Sequence, residues 1–273
     1  MSVKKIHHLN CGTMRPRGAG RFDKDLAVFP CHCLLAETDN CLVLVDAGVG
    51  LEDMDDPRRL GPMRFALNLK RDRADTALMQ TRALGYDPRD VRHIICTHLD
   101  LDHAGGLPDF PWAFVHVPEA EYVAATRPGD FRVKERYRGV HFAHGPIWVR
   151  HDRLGERKWF GTDCMPIGDG LDDFLLVPMP GHTPGHCAVA VKKDSGWLLH
   201  CGDAYYSSEE LGADSSKNPL MKAFTHLAHA DFALAAAQKG KIRQLMEQRD
   251  ITLCSSHVPQ EFERLSGRPL QTV

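Results

Sequence analysis

Four side chains able to bind metal stand within six residues: His98, Asp100, Asp102 and His103, in the run Thr97-His98-Leu99-Asp100-Leu101-Asp102-His103-Ala104-Gly105-Gly106. Neutral imidazole and carboxylate are common ligands of a borderline divalent cation such as zinc. The run follows an apolar stretch, 91–96, that reads as a short buried strand. Side chains alternate in direction at a strand end, so His98, Asp100 and Asp102 can converge while His103 closes the turn. The glycine pair lets the backbone pass close to whatever those side chains hold. A plain polar turn would seldom need two histidines and two aspartates together.

The same design recurs along the chain: an apolar strand, a metal-binding residue, then a turn. It occurs at Asp46 after 42–45, at His182 after 174–177, at Asp203 after 197–201 and at His257 after 251–254. Repeated strand-end ligands imply that several strand ends meet at one sheet edge. Strands that alternate with helices give an α/β architecture.

Other elements must position these residues. Stretches 27–37 and 41–46 read as two strands around the turn 38–40, and the continuously apolar Leu42-Val43-Leu44-Val45 belongs in mid-sheet. Asp46 reads as a loop anchor, with a place behind a metal ligand as the alternative. Residues 51–73 are irregular; Met63, Phe65, Leu67 and Leu69 alternate as in a strand or flap, serving as a lid or an oligomer contact. Residues 74–84 form an amphipathic helix that Gly85 ends. His116 lies in a strand, 114–117, as a satisfied sheet histidine, and Pro118 opens a helix to Ala125. Residues 127–170 read as a loop region whose aromatics line a pocket or pack against the sheet. His141, His144 and His151 lack ligand spacing there. The basic cluster Arg132, Lys134, Arg136 and Arg138 reads as a solvated face. Cys187–Val191 and Trp197–Cys201 form a hairpin, 207–230 a polar loop, and Asp231 the N-cap of a helix to Gln248.

Composition narrows the class. Lys plus Arg (34) nearly cancels Asp plus Glu (36), so no basic surplus points to nucleic acid. The 273 residues, 43% hydrophobic and 26% charged, suit a soluble globular protein with a sizeable core. No stretch approaches the roughly 20 apolar residues of a membrane helix, and none near the N-terminus resembles a secretory signal. Nine scattered cysteines fit a reducing cytoplasm. Cys31-His32-Cys33 has no second pair at finger-like spacing, so its alternation reads as a strand face.

Leu44-Val45-Asp46-Ala47-Gly48, the Thr97-to-Gly106 run, Pro180-Gly181-His182-Thr183-Pro184-Gly185-His186, Gly202-Asp203 and Ser256-His257 together resemble the metallo-β-lactamase superfamily, in that family's order. The resemblance covers nearly the whole chain. It implies a single domain over 1–273 with a four-layer αββα sandwich and two divalent metal ions, zinc foremost. By that likeness the first metal takes His98 and His182, the second takes Asp102, His103 and His257, and Asp203 bridges them. A water or hydroxide between the metals is the implied nucleophile. His186 matches a position that packs near the site without ligating.

One residue departs from the pattern. The family has His-x-His-x-Asp-His, and Asp100 replaces the second histidine. A ligating Asp100 moves the first site toward iron or manganese; its shorter reach puts full occupancy in question. Flavodiiron oxidoreductases carry glutamate there, but the chain has no flavodoxin-sized extension. Tyr206, three residues after Asp203, resembles the phenol of N-acyl-homoserine lactonases that hydrogen-bonds the substrate carbonyl. Tyr205 takes no role.

The resemblance thus implies a metal-dependent hydrolase of a lactone or small ester, in which Tyr206 steadies the oxyanion and Asp102 assists proton transfer. A thioesterase of the glyoxalase II kind and a weakly active metal-binding sensor are the alternatives. The expected partner is a small ester or lactone, with neither nucleic acid nor membrane, and exposed apolar residues at 63–69 are compatible with a homodimer.

Overall fold

The computed structural model describes residues 1–16, 27–127, 131–155, 157–212 and 219–270. The apolar runs pair into two sheets. The first orders its strands β4-β1-β2-β3-β5-β6-β7: Leu69–Lys70, Val3–Met14, Phe29–Thr38, Leu42–Val45, Val91–Ile95, Phe114–Pro118 and Ile147–His151. The second runs β13-β12-β11-β10-β9-β8: Ile251–Cys254, Gly196–His200, Cys187–Lys193, Phe174–Pro178, Thr162–Pro166 and Arg157–Trp159. Strands β3, β5, β6 and β7 run parallel, which places β3 and β5 inside the sheet with both faces covered. All four residues of β3 are buried, as an unbroken apolar run requires.

Strand alternation then sorts the side chains into layers. Between the sheets lie Leu34, Ala36, Val43, Val45 and Ile95 against Phe174, Leu176, Val189, Val191 and Leu198. The opposite face of the first sheet, with Leu35, Leu44 and Ile94, packs on α3 (Ala77–Ala83) through Ala77 and Leu78. The outer face of the second, with Leu175, Val177 and Leu199, packs on α8 (Phe232–Met246) through Ile242 and Leu245. Helices thus cover both outer faces, and the four-layer αββα sandwich is the observed architecture. The remaining helices are α1 (Leu51–Asp55), α2 (Met63–Leu67), α4 (Leu101–Ala104), α5 (Glu119–Thr126), α6 (Phe131–Arg136), α7 (Pro219–Ala228) and α9 (Pro259–Ser266). Among the described residues no helix is long and apolar enough to cross a membrane.

Local chemistry explains where the elements begin. Asp231 caps α8 by accepting from Leu234 N at 2.9 Å, as the sequence indicates. Thr76 caps α3 through Met79 N. Other segments differ from expectation. The alternating residues at 63–69 form the helical turn α2 after Pro62, with a left-handed Asn68 leading into β4. Four alternating residues are too few to separate a strand from a helical turn, and Pro62 favours the turn. The polar loop 207–230 contains α7, and 213–218 lie outside the described residues. Residues 127–170 supply α6 and strands β7, β8 and β9. The long first strand, β1, carries too many polar residues to stand out in a sequence pattern.

One buried carboxylate joins the layers at the sheet edge. Glu121 on α5 is fully buried and accepts from Leu99 N (2.9 Å), Thr183 Oγ1 (2.6 Å) and Gly185 N (3.1 Å). It therefore ties the loop bearing His98 to the loop bearing His182. Gly185 must be glycine for this approach, since a Cβ there would stand 2.1 Å from Glu121 N. Glu121→Ala leaves three buried donors unpaired. It should cost about 3 kcal/mol or more in urea unfolding, at unchanged denaturant slope.

Candidate metal centre

The ends of β3, β5, β10, β12 and β13 meet along one edge and bring Asp46, the 98–103 run, His182, Asp203 and His257 together. Asp46 follows β3 with a left-handed backbone (φ 56) and accepts from Thr97 N (2.7 Å), Thr97 Oγ1 (2.8 Å) and His103 Nδ1 (2.8 Å). It anchors the neighbouring loop and also orients an imidazole, so both readings of Asp46 apply. Gly202 turns the chain toward Asp203 at φ +54, where a Cβ would meet His186 Nε2 at 2.6 Å. His186 donates from Nδ1 to Met179 O (2.8 Å) and accepts Asp203 N at Nε2 (3.0 Å). Both its nitrogens are used, and it packs behind the site as expected.

Each of the four central imidazoles has Nδ1 engaged. His98 Nδ1 reaches Thr97 Oγ1 (2.9 Å), His103 Nδ1 reaches Asp46, and His257 Nδ1 donates to Pro30 O (2.7 Å). His182 Nδ1 lies 3.2 Å from both Tyr206 Oη and His229 Nδ1. A neutral imidazole with its proton on Nδ1 keeps its Nε2 lone pair free, which is the form that ligates metal.

Those Nε2 atoms face the carboxylates. On one side His98 Nε2 and His182 Nε2 lie 3.5 and 3.0 Å from Asp100 Oδ2, and 4.0 and 3.5 Å from Asp203 Oδ2. On the other, His103 Nε2 and His257 Nε2 lie 3.1 and 3.2 Å from Asp203 Oδ1, and 3.9 and 3.4 Å from Asp102 Oδ2. Ligands about 2.1 Å from a tetrahedral ion stand about 3.4 Å apart, so both groups have the spacing of a metal cage. The buried atoms His98 Nε2, His103 Nε2 and Asp203 Oδ1 have no hydrogen-bond partner. Buried polar atoms are seldom left so, and cations held on the two sides would satisfy all three. The residues fit two divalent ions, and Asp100 reaches far enough to serve as a ligand.

Electrostatics divide the two sides: burial opposes the charged form of His103 and His257, yet Asp203 raises both above the usual imidazole range. Burial, then neighbouring His103, pushes His98 well below the usual imidazole range, and burial with the Arg136 guanidinium does the same to His182. Burial opposes ionisation of Asp203, yet His257 and His103 hold its carboxyl well below the ordinary range. Asp100 resists burial likewise and stays low beside Arg136 and His98.

Two groups at the site carry no motif. Arg136 is expected on a solvated face, but the two N–H groups of its Nη1 are shared among Asp100 Oδ2 (2.9 Å), His182 O (3.0 Å) and His182 Nε2 (3.2 Å), and its Nη2 donates to Ala228 O. Arg138 also turns inward, to Arg59 O at 3.1 Å, while Lys134 is exposed; the side chain of Arg132 lies outside the described residues. Residues two apart lie about 200° apart on a helix, so alternating basic residues cannot share one helical face. His229, just after α7, is buried against His182, in a segment read as loop. Tyr206 stacks on His257 (5.8 Å between centroids, 5° between planes) and donates to Asp203 Oδ2 at 3.1 Å. Tyr205 turns away to Glu261. His116 is satisfied by His93 and His151, and His141 by Asp53, all outside the site.

Such a fold with such a cage defines the class, and comparison with known proteins agrees. The family model described as the metallo-beta-lactamase superfamily matches residues 26–238, and the chain belongs to that superfamily. A "probable metallo-hydrolase" of Mycobacterium tuberculosis (strain ATCC 25618 / H37Rv) is 47% identical over 95% of this chain and 82% of its own length. The N-acyl homoserine lactonase AttM of Rhizobium radiobacter is 29% identical over 83% of this chain and 81% of its own. In structure the chain is similar to an N-acyl homoserine lactone hydrolase solved with N-hexanoyl-L-homoserine at its catalytic metal center. That match has a TM-score of 0.71 and 22% identity, over 99% of this chain and 98% of the other. By class the protein is a metal-dependent hydrolase.

Asp46 is the point at which metal retention can be tested without removing a ligand. Asp46→Asn replaces an acceptor of His103 Nδ1–H with a group that can turn a donor toward it. Zinc affinity should fall about 10- to 100-fold, read by competition with a chromophoric chelator.

Proposed function

We propose that this protein opens a lactone or a similarly small ester, using two divalent metal ions. His98, Asp100, His182 and Asp203 would hold the first, and Asp102, His103, His257 and Asp203 the second. The observation that carries the reading is the convergence of four imidazole Nε2 atoms on Asp203, with the Tyr206 phenol 3.1 Å from that carboxylate. Divalent cations held there would acidify a water and polarise a carbonyl, the two needs of ester opening.

The chain's own groups supply the rest. Burial, then nearby Asp203, raises the Tyr206 phenol well above its usual range, so it stays protonated and remains a donor. Its O–H borders the cage, suited to the carbonyl oxygen that gains charge as the ring opens. Asp102, across the cage at 3.4 Å from His257 Nε2, can hold a proton at its carboxylate and release it to the departing alkoxide. The relatives named as N-acyl homoserine lactonases favour a lactone over other esters. Four imidazoles favour zinc, and the added oxygen of Asp100 draws the first subsite toward iron or manganese.

The test is hydrolysis of acyl-homoserine lactones, simple lactones and a glutathione thioester, followed with a pH indicator. Lactone opening should exceed thioester cleavage; the reverse order supports a thioesterase and overturns the lactonase reading. Tyr206→Phe should lower kcat about 10- to 1,000-fold with metal content unchanged, the scale for loss of an oxyanion donor. An undiminished kcat would remove Tyr206 from the chemistry. Asp203→Ala should lose both bound metal, by elemental analysis, and hydrolysis.

A further inference from the structure

Asp100 and Arg136 have to be considered as a pair. The motif's usual histidine is neutral, whereas Asp100 brings a negative charge into a mostly buried site (side chain 13% exposed). The Arg136 guanidinium, itself only 21% exposed, sits on that carboxylate at 2.9 Å. Together they carry no net charge, like the imidazole they replace. The partner of Asp100 is drawn from a different element, α6, so the balance exists only in the folded chain.

The same guanidinium also touches a proposed ligand atom. Arg136 Nη1 lies 3.2 Å from His182 Nε2 in hydrogen-bonding geometry. His182 Nε2 also lies 3.0 Å from Asp100 Oδ2, which can only accept, whereas arginine can only donate; in the Nδ1–H tautomer that ligation requires, the partner of that nitrogen is therefore Arg136 Nη1. An imidazole nitrogen has one lone pair in the ring plane. A carboxylate oxygen can serve both a guanidinium and a metal, but that nitrogen can serve only one. No comparable claimant stands on the other side. Among the described residues no lysine or arginine pairs with Asp102 or Asp203, while His103 Nε2 and Asp203 Oδ1 are buried without hydrogen-bond partners.

We propose that Arg136 is a resident cation of the first subsite, competing with a metal ion for His182 Nε2. The two subsites therefore load unequally. The Asp102–His103–His257–Asp203 group binds first and tightly. The His98–Asp100–His182 group binds only when the guanidinium leaves His182 Nε2, which its remaining acceptors, Asp100 Oδ2, His182 O and Ala228 O, allow by a small shift. This rests on the ligand assignment above, not on the substrate.

The experiment is a zinc titration of the full-length apo-protein by calorimetry, with chelator competition for the tight step. Wild type should take one equivalent tightly and a second at least tenfold more weakly. Arg136→Met, which keeps the length and removes the charge, should tighten the second step tenfold or more and leave the first unchanged. Two equal equivalents in wild type, or a second step in Arg136→Met that is unchanged or weaker, would overturn the proposal. Absence of any zinc binding overturns the ligand assignment itself, and failure to cleave lactones touches neither. Should Arg136→Met not fold, wild type labelled with 15N-arginine gives the answer. One guanidinium signal should move with the second equivalent and not the first; movement with the first, or none at all, overturns the inference.

Discussion

An imidazole can lend a lone pair inward only if its proton is held outward, and the rest of this site depends on that constraint. Four histidines meet at the sheet edge, and each has its Nδ1 fixed by something different: a threonine hydroxyl, a carboxylate, a backbone carbonyl, and a tyrosine with a further histidine. These tethers come from β3, the turn after β5, the start of β2 and the segments after β12 and α7. The sandwich therefore orients ligands as well as carrying them. Its burial of Asp46 and Glu121 makes the tethers stiff, because a buried acceptor that loses its donors cannot turn to water for compensation.

Charge balance is the second constraint. Seven ligand candidates include three carboxylates, two of them flanking a third in a nearly closed space. Two dications would more than offset three negative charges. In the protein alone the offset comes from His103 and His257, raised by Asp203 against the effect of burial, and from Arg136 on Asp100. The side with the arginine and the side without it are thus electrostatically unlike, although both have the spacing of a cage. The two halves therefore present different charge to an incoming cation.

Much of the fold was legible because the strands are short, apolar and punctuated. Leu42–Val45, Val91–Ile95 and Phe174–Pro178 stand out by composition, and Asp231 announces its helix by a capping side chain. β1 was not legible, since its exposed face alternates irregularly and its pairing with β2 is broken by register shifts. The sequence of α2 reads as a strand or flap and that of α7 as a polar loop, because a helix of five residues and one preceded by polar sequence leave little periodicity to detect.

The sequence by itself determined which residues could hold metal, because His98, Asp100, Asp102 and His103 are neighbours in the chain and the strand before them dictates where they point. It also determined that the candidate site would lie at a sheet edge, since each candidate ligand follows an apolar strand. Only the tertiary structure decided what surrounds them. Arg136 meets Asp100 across 36 residues, His229 meets His182 across 47, and Asp46 meets His103 across 57. Contacts of that range leave no period or spacing in a sequence. The first follows from which face of a six-residue helix turns inward, and packing sets that face where local pattern is silent.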